Sequence, residues 1–224
     1  MNPALRSSAA HVFVESLEAP ELEPDDEHHL LRVLRLRDGQ LVSVSDGAGS
    51  WRLTAVAGRR LQPTGPVERS SQLAPALVIA AAIPKGDRVE WMVQKLTEIG
   101  VRGVTFLHCA RSVVRWEGER GERQLQRATR VAREAAMQSR RVWLPELSGP
   151  AALGSVAGRP NAVLAEPSGI PPSALGIRPS VVVIGPEGGF SPDEVAVGAP
   201  LVSLGDTVLR VETAALVAAV KFLI

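Results

Sequence analysis

The spacing of apolar residues changes character near residue 70. Before that point, short runs of strand-like composition, His11–Glu15, Gln40–Ser45 and Trp51–Val56, are separated by turn signals at Asp38-Gly39 and Asp46–Gly49. One helical stretch interrupts them, from about Asp25 to Leu36, with Leu30, Leu31, Val33 and Leu34 as its apolar side. The pattern predicts a small barrel carrying one helix. The polar segment Arg69–Pro75 ends in proline and marks a boundary, which gives domains over 1–70 and 71–224.

Beyond the boundary, apolar runs alternate with helical patterns, as in an α/β domain with a largely parallel sheet covered on both faces. Strands are expected near 76–82, 103–108, 161–165, 180–184 and 200–204. A helix follows Lys85-Gly86, with Asp87 as N-cap and Glu90 three residues on, the spacing of a capping box. Val89, Met92, Leu96 and Ile99 give its apolar face and Gly100 closes it. Ser191-Pro-Asp-Glu194 repeats the box with proline at the first helical position. The last helix, from about Glu212 to Leu223, is almost wholly apolar and must be buried in the core or against a partner chain.

Two of the expected strands run into glycine-marked loops, Gly185-Pro-Glu-Gly-Gly-Phe190 and Leu204-Gly-Asp-Thr-Val-Leu209. Neither carries the Lys and Ser/Thr of a triphosphate loop, and neither matches GxGxxG. A ligand bound mainly through backbone groups is the better reading, with glycine letting the main chain approach it.

Composition narrows the setting. Hydrophobic residues make up 45% of the 224, enough to bury a real core, and no apolar run approaches the roughly 20 residues of a membrane span. The start, Met1-Asn-Pro-Ala-Leu-Arg6, lacks an apolar signal core, so a cytoplasmic protein is expected. The single cysteine, Cys109, excludes an intrachain disulfide and a cysteine-based zinc site. His28 and His29 have no companion ligands at metal spacing and read as ordinary barrel residues, so no metal is expected. Net charge is only +1, but nine arginines and four acids fall between Arg111 and Arg141. Arg123, Arg127, Arg130, Glu134 and Arg141 recur at helical spacing on one face, opposite Leu125, Ala128, Ala132 and Ala135. Such a basic face suits RNA, although a merely solvated face with Glu134 paired along the helix remains open.

The chain resembles the ribosomal RNA small subunit methyltransferase E family of the SPOUT class. The two glycine loops carry the likeness, the second continuing as Arg210-Val-Glu-Thr-Ala214, and three further segments agree. These are Lys85-Gly-Asp-Arg-Val-Glu-Trp91 with Gln94-Lys95, Ala110-Arg-Ser-Val-Val-Arg-Trp116, and Glu134-Ala-Ala-Met-Gln-Ser-Arg140. Asp26–Arg35 is similar to the family's PUA-like barrel. The sequence departs from the family where Val211 replaces a threonine and Met137 a glutamate.

The resemblance implies a PUA-like RNA-binding β-barrel followed by a SPOUT domain with a C-terminal trefoil knot. It implies transfer of a methyl group from S-adenosyl-L-methionine to N3 of a uridine in 16S ribosomal RNA, free or in the small ribosomal subunit, by a homodimer. The cofactor would lie against Leu164 and Glu166, the loop Ile184, Gly185, Pro186, Glu187, Gly188 and Gly189, then Leu204, Gly205, Val208, Leu209, Arg210 and Thr213. Glu134, Arg140 and Arg210 would serve the chemistry; Arg32, Arg35, Arg111, Arg123, Arg127 and Arg130 would meet RNA. The competing reading is a non-catalytic RNA-binding protein with a vestigial pocket. A nucleotide hydrolase is disfavoured by the missing phosphate-loop lysine.

Overall fold

β-branched residues at alternate positions build the first sheet. The computed structural model describes residues 2–72 and 75–224; Leu73 and Ala74, inside the expected boundary segment, lie outside the described residues. After the short helix α1 (Pro3–Ser7) come β1 (Ala10–Phe13), α2 (Pro24–His28), β2 (Leu41–Ser45), β3 (Ser50–Ala57), β4 (Arg60–Pro63) and β5 (Glu68–Arg69). β1 runs parallel to β2, β3 lies antiparallel to β2 and β4, and β5 pairs the start of β3. Val12, Val42, Val44, Val56 and Leu61 close over Leu30 as the core of this unit.

The expected helix over 25–36 is shorter and less regular than its pattern. α2 stops at His28 and the chain continues as one π-turn, His29–Val33. A wider turn breaks the 3.6-residue stripe. Leu30 is fully buried, whereas Val33 and Leu34, expected on the apolar side, are exposed. β4 and β5 are short strands that the sequence pattern did not mark.

The second sheet is parallel throughout and contains β6 (Val78–Ala82), β7 (Gly103–His108), β8 (Glu146–Ala152), β9 (Ala162–Ile170), β10 (Val181–Ile184) and β11 (Leu201–Val202), in the order β11-β9-β10-β6-β7-β8. Its helices are α3 (Arg88–Ile99), α4 (Gly118–Gln138), α5 (Leu153–Ala157), α6 (Pro192–Val195) and α7 (Val211–Leu223). Ile79, Ala81, Val182 and Ile184 point into one core with α3 and α7. Ala80, Ala82, Val181 and Val183 point into the other with Leu153 and Val156 of α5. Central strands buried on both faces read as continuous apolar runs. β8 sits on the edge and carries Gly149-Pro150, which hid it from the pattern.

Two helix starts with similar sequences behave differently. Ser191 and Glu194 form the full capping box of α6. At α3, Asp87 already has helical dihedrals and its side chain caps nothing, while Glu90 instead pairs with Arg127 at 2.7 Å. Gly100 closes α3 in the left-handed conformation, as expected.

Two compact units result: Met1–Gln72 with Arg133–Leu144, and Leu73–Ala132 with Pro145–Ile224. The first is therefore discontinuous in sequence. Its late segment is tied in by backbone bonds from Gly49 N–H to Val142 and from Leu144 N–H to Gly47. Arg133 contributes too: it donates to Phe13 O and to Asp26 Oδ2 and lies over the Phe13 ring.

One strand departs from regular pairing. Leu201 faces Leu164, yet the next residue, Val202, faces Ile170. Residues 165–169 are thus looped out of the β9–β11 ladder, a large bulge. Gly169 returns the chain, and a Cβ there would run into the backbone of Leu201 and Val202. Gly169→Ala should lower unfolding stability by about 1–3 kcal/mol in denaturant titration, the usual cost of forcing atoms into a packed site; an unchanged midpoint would refute that reading of the bulge.

In the first unit, His11 is buried, with Nδ1 2.8 Å from Ser43 Oγ and its ring edge-on to Phe13. Burial, aided by the Arg140 charge and opposed by a backbone hydrogen bond at Arg141, lowers its pKa to about 4. Because the unfolded value lies higher, near 6.5, the stabilisation is complete above pH 6.5 and is lost as pH falls towards 4. The loss amounts to about 3 kcal/mol. Asp26, whose pKa burial raises, acts in the opposite direction. The difference between wild type and His11→Gln isolates the histidine: it should shrink with acidification across this window, and a flat difference would count against a neutral His11.

Candidate active site

The bulge within β9 and the loops that leave the carboxyl ends of β10 and β11 enclose one pocket, the side where open parallel sheets receive ligands. The looped-out residues Ala165, Glu166 and Pro167 form one wall. Ile184, Gly185, Pro186, Glu187, Gly189 and Phe190 form the second; Leu204, Gly205, Thr207, Val208 and Leu209 form the third. Val211 and Ala214, one turn apart on α7, supply the floor. The lining is mostly backbone and aliphatic surface, with the carboxyl groups of Glu166 and Glu187 as its charged groups. Val208, at 90% exposure, leaves an apolar side chain uncovered at the rim.

The pocket brings together most of the residues expected at a cofactor, but not Leu164, Gly188, Arg210 or Thr213. Leu164 alternates away from the site into the α5-side core. Thr213 sits on the exposed side of α7 between the two lining residues. Thr207, Val211 and Ala214 were missed; the i, i+3 spacing of the last two on an all-apolar helix gave no hint of which face was used. The aliphatic Val211, where the family resemblance expects threonine, is buried and contributes surface alone.

The glycines have distinct roles. A Cβ on Gly185 would come within 3.0 Å of the Phe190 ring, which folds back over it. Gly189 has φ +71°. Gly188 keeps an ordinary φ, and a Cβ there would meet the Cβ of Arg111 at 3.3 Å. Its missing side chain makes room for that arginine.

Charged candidates fall in both units. Arg210, exposed, is the N-cap of α7 in extended conformation. Glu134 is exposed and, like Arg130, forms no ion pair among the described residues, whereas Arg123 reaches Glu119 at 3.5 Å. Ala128, Ala132 and Ala135 are buried on the opposite side of α4. Arg141 does not continue the exposed face: it lies beyond the helix end, and burial lowers its pKa to about 10. Arg140, in the first unit, has φ +56° and donates from Nη1 to Ser8 Oγ at 3.0 Å. Ser8 Oγ in turn lies 3.0 Å from Ser43 Oγ. Arg32 and Arg35 are exposed on and just after the π-turn, Arg35 with φ +54°. Cys109 is buried, and its thiol is pushed up to about 12 by burial first and the Glu194 charge second, which leaves it no nucleophilic character. His108 Nε2 accepts from Trp116 N–H at 3.1 Å. No cluster of potential metal ligands occurs among the described residues.

Comparison with known proteins agrees with this architecture. The model of an RNA methyltransferase domain matches residues 71–222, and that of an RNA methyltransferase PUA domain matches residues 22–60. Ribosomal RNA small subunit methyltransferase E of Mycobacterium bovis is 34% identical over 217 residues, covering 88% of this chain and 83% of the relative. A Porphyromonas gingivalis structure, named as a probable rRNA-methyltransferase, superposes with TM-score 0.81 at 30% identity, covering 94% of this chain and 95% of its own. A Legionella pneumophila methyltransferase solved with its cofactor SAM bound superposes with TM-score 0.79 at 26% identity, covering 95% and 96%. The α/β fold and the PUA-like first part thus meet in one lineage, and the chain belongs to the ribosomal RNA small subunit methyltransferase E family.

Proposed function

We propose that this RNA methyltransferase uses S-adenosyl-L-methionine to methylate N3 of a uridine in 16S ribosomal RNA, as a cytoplasmic homodimer with a trefoil-knotted cofactor domain. The pocket at the β9 bulge and the ends of β10 and β11 carries the reading. Its glycine-lined walls suit a flat adenine edge, and the Glu166 and Glu187 carboxyl groups suit a ligand with sulfonium and ammonium charges. The relative solved with bound SAM supports the same assignment.

S-adenosyl-L-methionine supplies an electrophilic methyl group. The residues of this chain have three tasks: to hold it in line with the acceptor, to keep water out, and to deal with the N3 proton. Ile184, Leu204, Leu209 and Val211 give the site its apolar surface. The imide proton of uridine leaves either to a base or under stabilisation by positive charge. Glu134 is the candidate base, being exposed and unpaired among the described residues. Arg140 and Arg210 are the candidates for stabilising the anion. Arg123, Arg127 and Arg130 on α4, with Arg32 and Arg35 on the PUA-like unit, are the candidates for phosphate contacts.

For the dimer, α7 is the candidate surface. Its Ala215, Ala218 and Ala219 pack into the chain's own core with Phe222 against them, yet Val220, at 45% exposure, leaves an apolar side chain uncovered.

Calorimetry should detect S-adenosyl-L-methionine binding to the isolated protein. Incubation with small subunits from a strain lacking the native activity should yield N3-methyluridine on nucleoside mass analysis. Methylation of a different atom, or of none with the cofactor bound, would sink the assignment. Glu134→Gln should lower kcat about 100-fold with unchanged cofactor affinity; full activity would remove Glu134 as base. Light scattering should give a dimer for the wild type and a shift to monomer for Val220→Arg; a monomeric wild type would end the dimer proposal.

A further inference from the structure

The loop after β7 and the loop after β10 are fastened together across the end of β6, which lies between their strands. Two bonds make the fastening. Arg111 Nη1 donates to the Gly188 carbonyl at 3.0 Å, and Ala110 N–H donates to Glu194 Oε1 at 2.8 Å. Glu194 is held at its other oxygen by Ser191 N–H at 2.8 Å, in the capping box that starts α6. Gly188 has no side chain to obstruct the arginine, whose Cβ and Cδ pass 3.3 and 3.6 Å from where a Cβ would stand.

This contact bears on the pocket through one peptide plane. In a trans peptide, the carbonyl and the following N–H point in opposite directions. Fixing Gly188 C=O on Arg111 therefore aims Gly189 N–H the other way, where it donates to Pro186 O at 2.8 Å. That bond closes the turn Pro186-Glu187-Gly188-Gly189. Three of its four residues line the pocket, and Gly188, the one gripped by Arg111, does not.

We infer that Arg111 and Glu194 are positioning residues for the cofactor wall, holding the Pro186–Gly189 turn in its ligand-accepting shape, and that Arg111 serves this role instead of contacting RNA. The inference rests on the reading of this pocket as the S-adenosyl-L-methionine site. The arginine is not among the residues that line the pocket; it acts through the backbone it holds. Lysine at 111 would keep a cationic donor but lose the planar reach of the guanidinium.

The test measures cofactor and RNA affinities separately on the full chain. Wild-type binding of S-adenosyl-L-methionine in calorimetry comes first, because its absence defeats the pocket reading and not the fastening. Given binding, Arg111→Ala should raise the cofactor Kd about tenfold, the size of one charge-assisted hydrogen bond. Its KM for the cofactor should rise while kcat at saturation stays near wild type. The salt dependence of RNA binding should keep its slope, whereas loss of a phosphate contact would reduce that slope by about one. Arg111→Lys should fall between the two. Glu194→Ala should weaken the cofactor as well, and the double variant should lose less than the product of the single losses, because both act on one turn. Wild-type cofactor affinity in folded Arg111→Ala overturns the inference, and a reduced salt slope alongside it returns Arg111 to the RNA surface. Independent, fully multiplicative losses overturn the shared fastening.

Discussion

The pocket depends on the burial of β10 between two parallel neighbours. Val181–Ile184 pairs in register with Ala162–Ala165 on one side and Val78–Ala81 on the other, and both of its faces point into apolar cores. With no face left for solvent, every side chain of the strand is committed, so a one-residue slip would exchange the two cores. The turn that follows therefore starts from a fixed point. One wall of the site, from the Phe190 ring over Gly185 to the gripped peptide at Gly188, is built outward from that strand end.

A second constraint is that the pocket is lined by glycine-rich loops and aliphatic side chains. Side-chain polar groups are few, so its shape depends on loop conformation, and loop conformation depends on bonds placed outside it. The Ser191–Glu194 capping box shows the economy of this: a helix of four residues contributes little packing, but its capping glutamate also takes Ala110 N–H. A single carboxylate thereby ends one loop, begins one helix and ties both to the loop after β7, two strands away.

Much of this could be read in the sequence because apolar runs and glycines report directly on buried strands and the loops that leave them. The central strands, both glycine loops, the Ser191 cap and the closing Gly100 all announced themselves. What escaped had physical reasons. β8 lies at an edge, where Gly149-Pro150 is tolerated but disguises the strand. The π-turn shifts Val33 and Leu34 into solvent, which periodicity of 3.6 cannot represent. Asp87 and Ser191 carry the same spacing to a glutamate, yet only the second has extended backbone that lets its side chain reach back. The register jump between Leu201 and Val202, which creates one pocket wall, is a property of pairing and leaves no mark on either strand alone. That Arg111 takes the room beside Gly188 was not legible either, because a glycine pattern cannot say which side of the main chain needs the room.

The interleaved order of the two units bears on how the chain is made. The first unit needs Arg133–Leu144, whose backbone bonds to Gly47 and Gly49 and whose Arg133 grip on Asp26 belong to its own fabric. During synthesis, residues 1–72 leave the ribosome long before that segment exists. At roughly 5–20 residues per second, the wait is about 4–14 s. For that interval the early strands must survive with Trp51 and Phe13 lacking their late partners, and the second unit must begin to assemble around a strand of chain that is destined for the first. A member of a ribosomal RNA methyltransferase family thus leaves the ribosome's early stretch of synthesis with its first unit still lacking a segment that belongs to it.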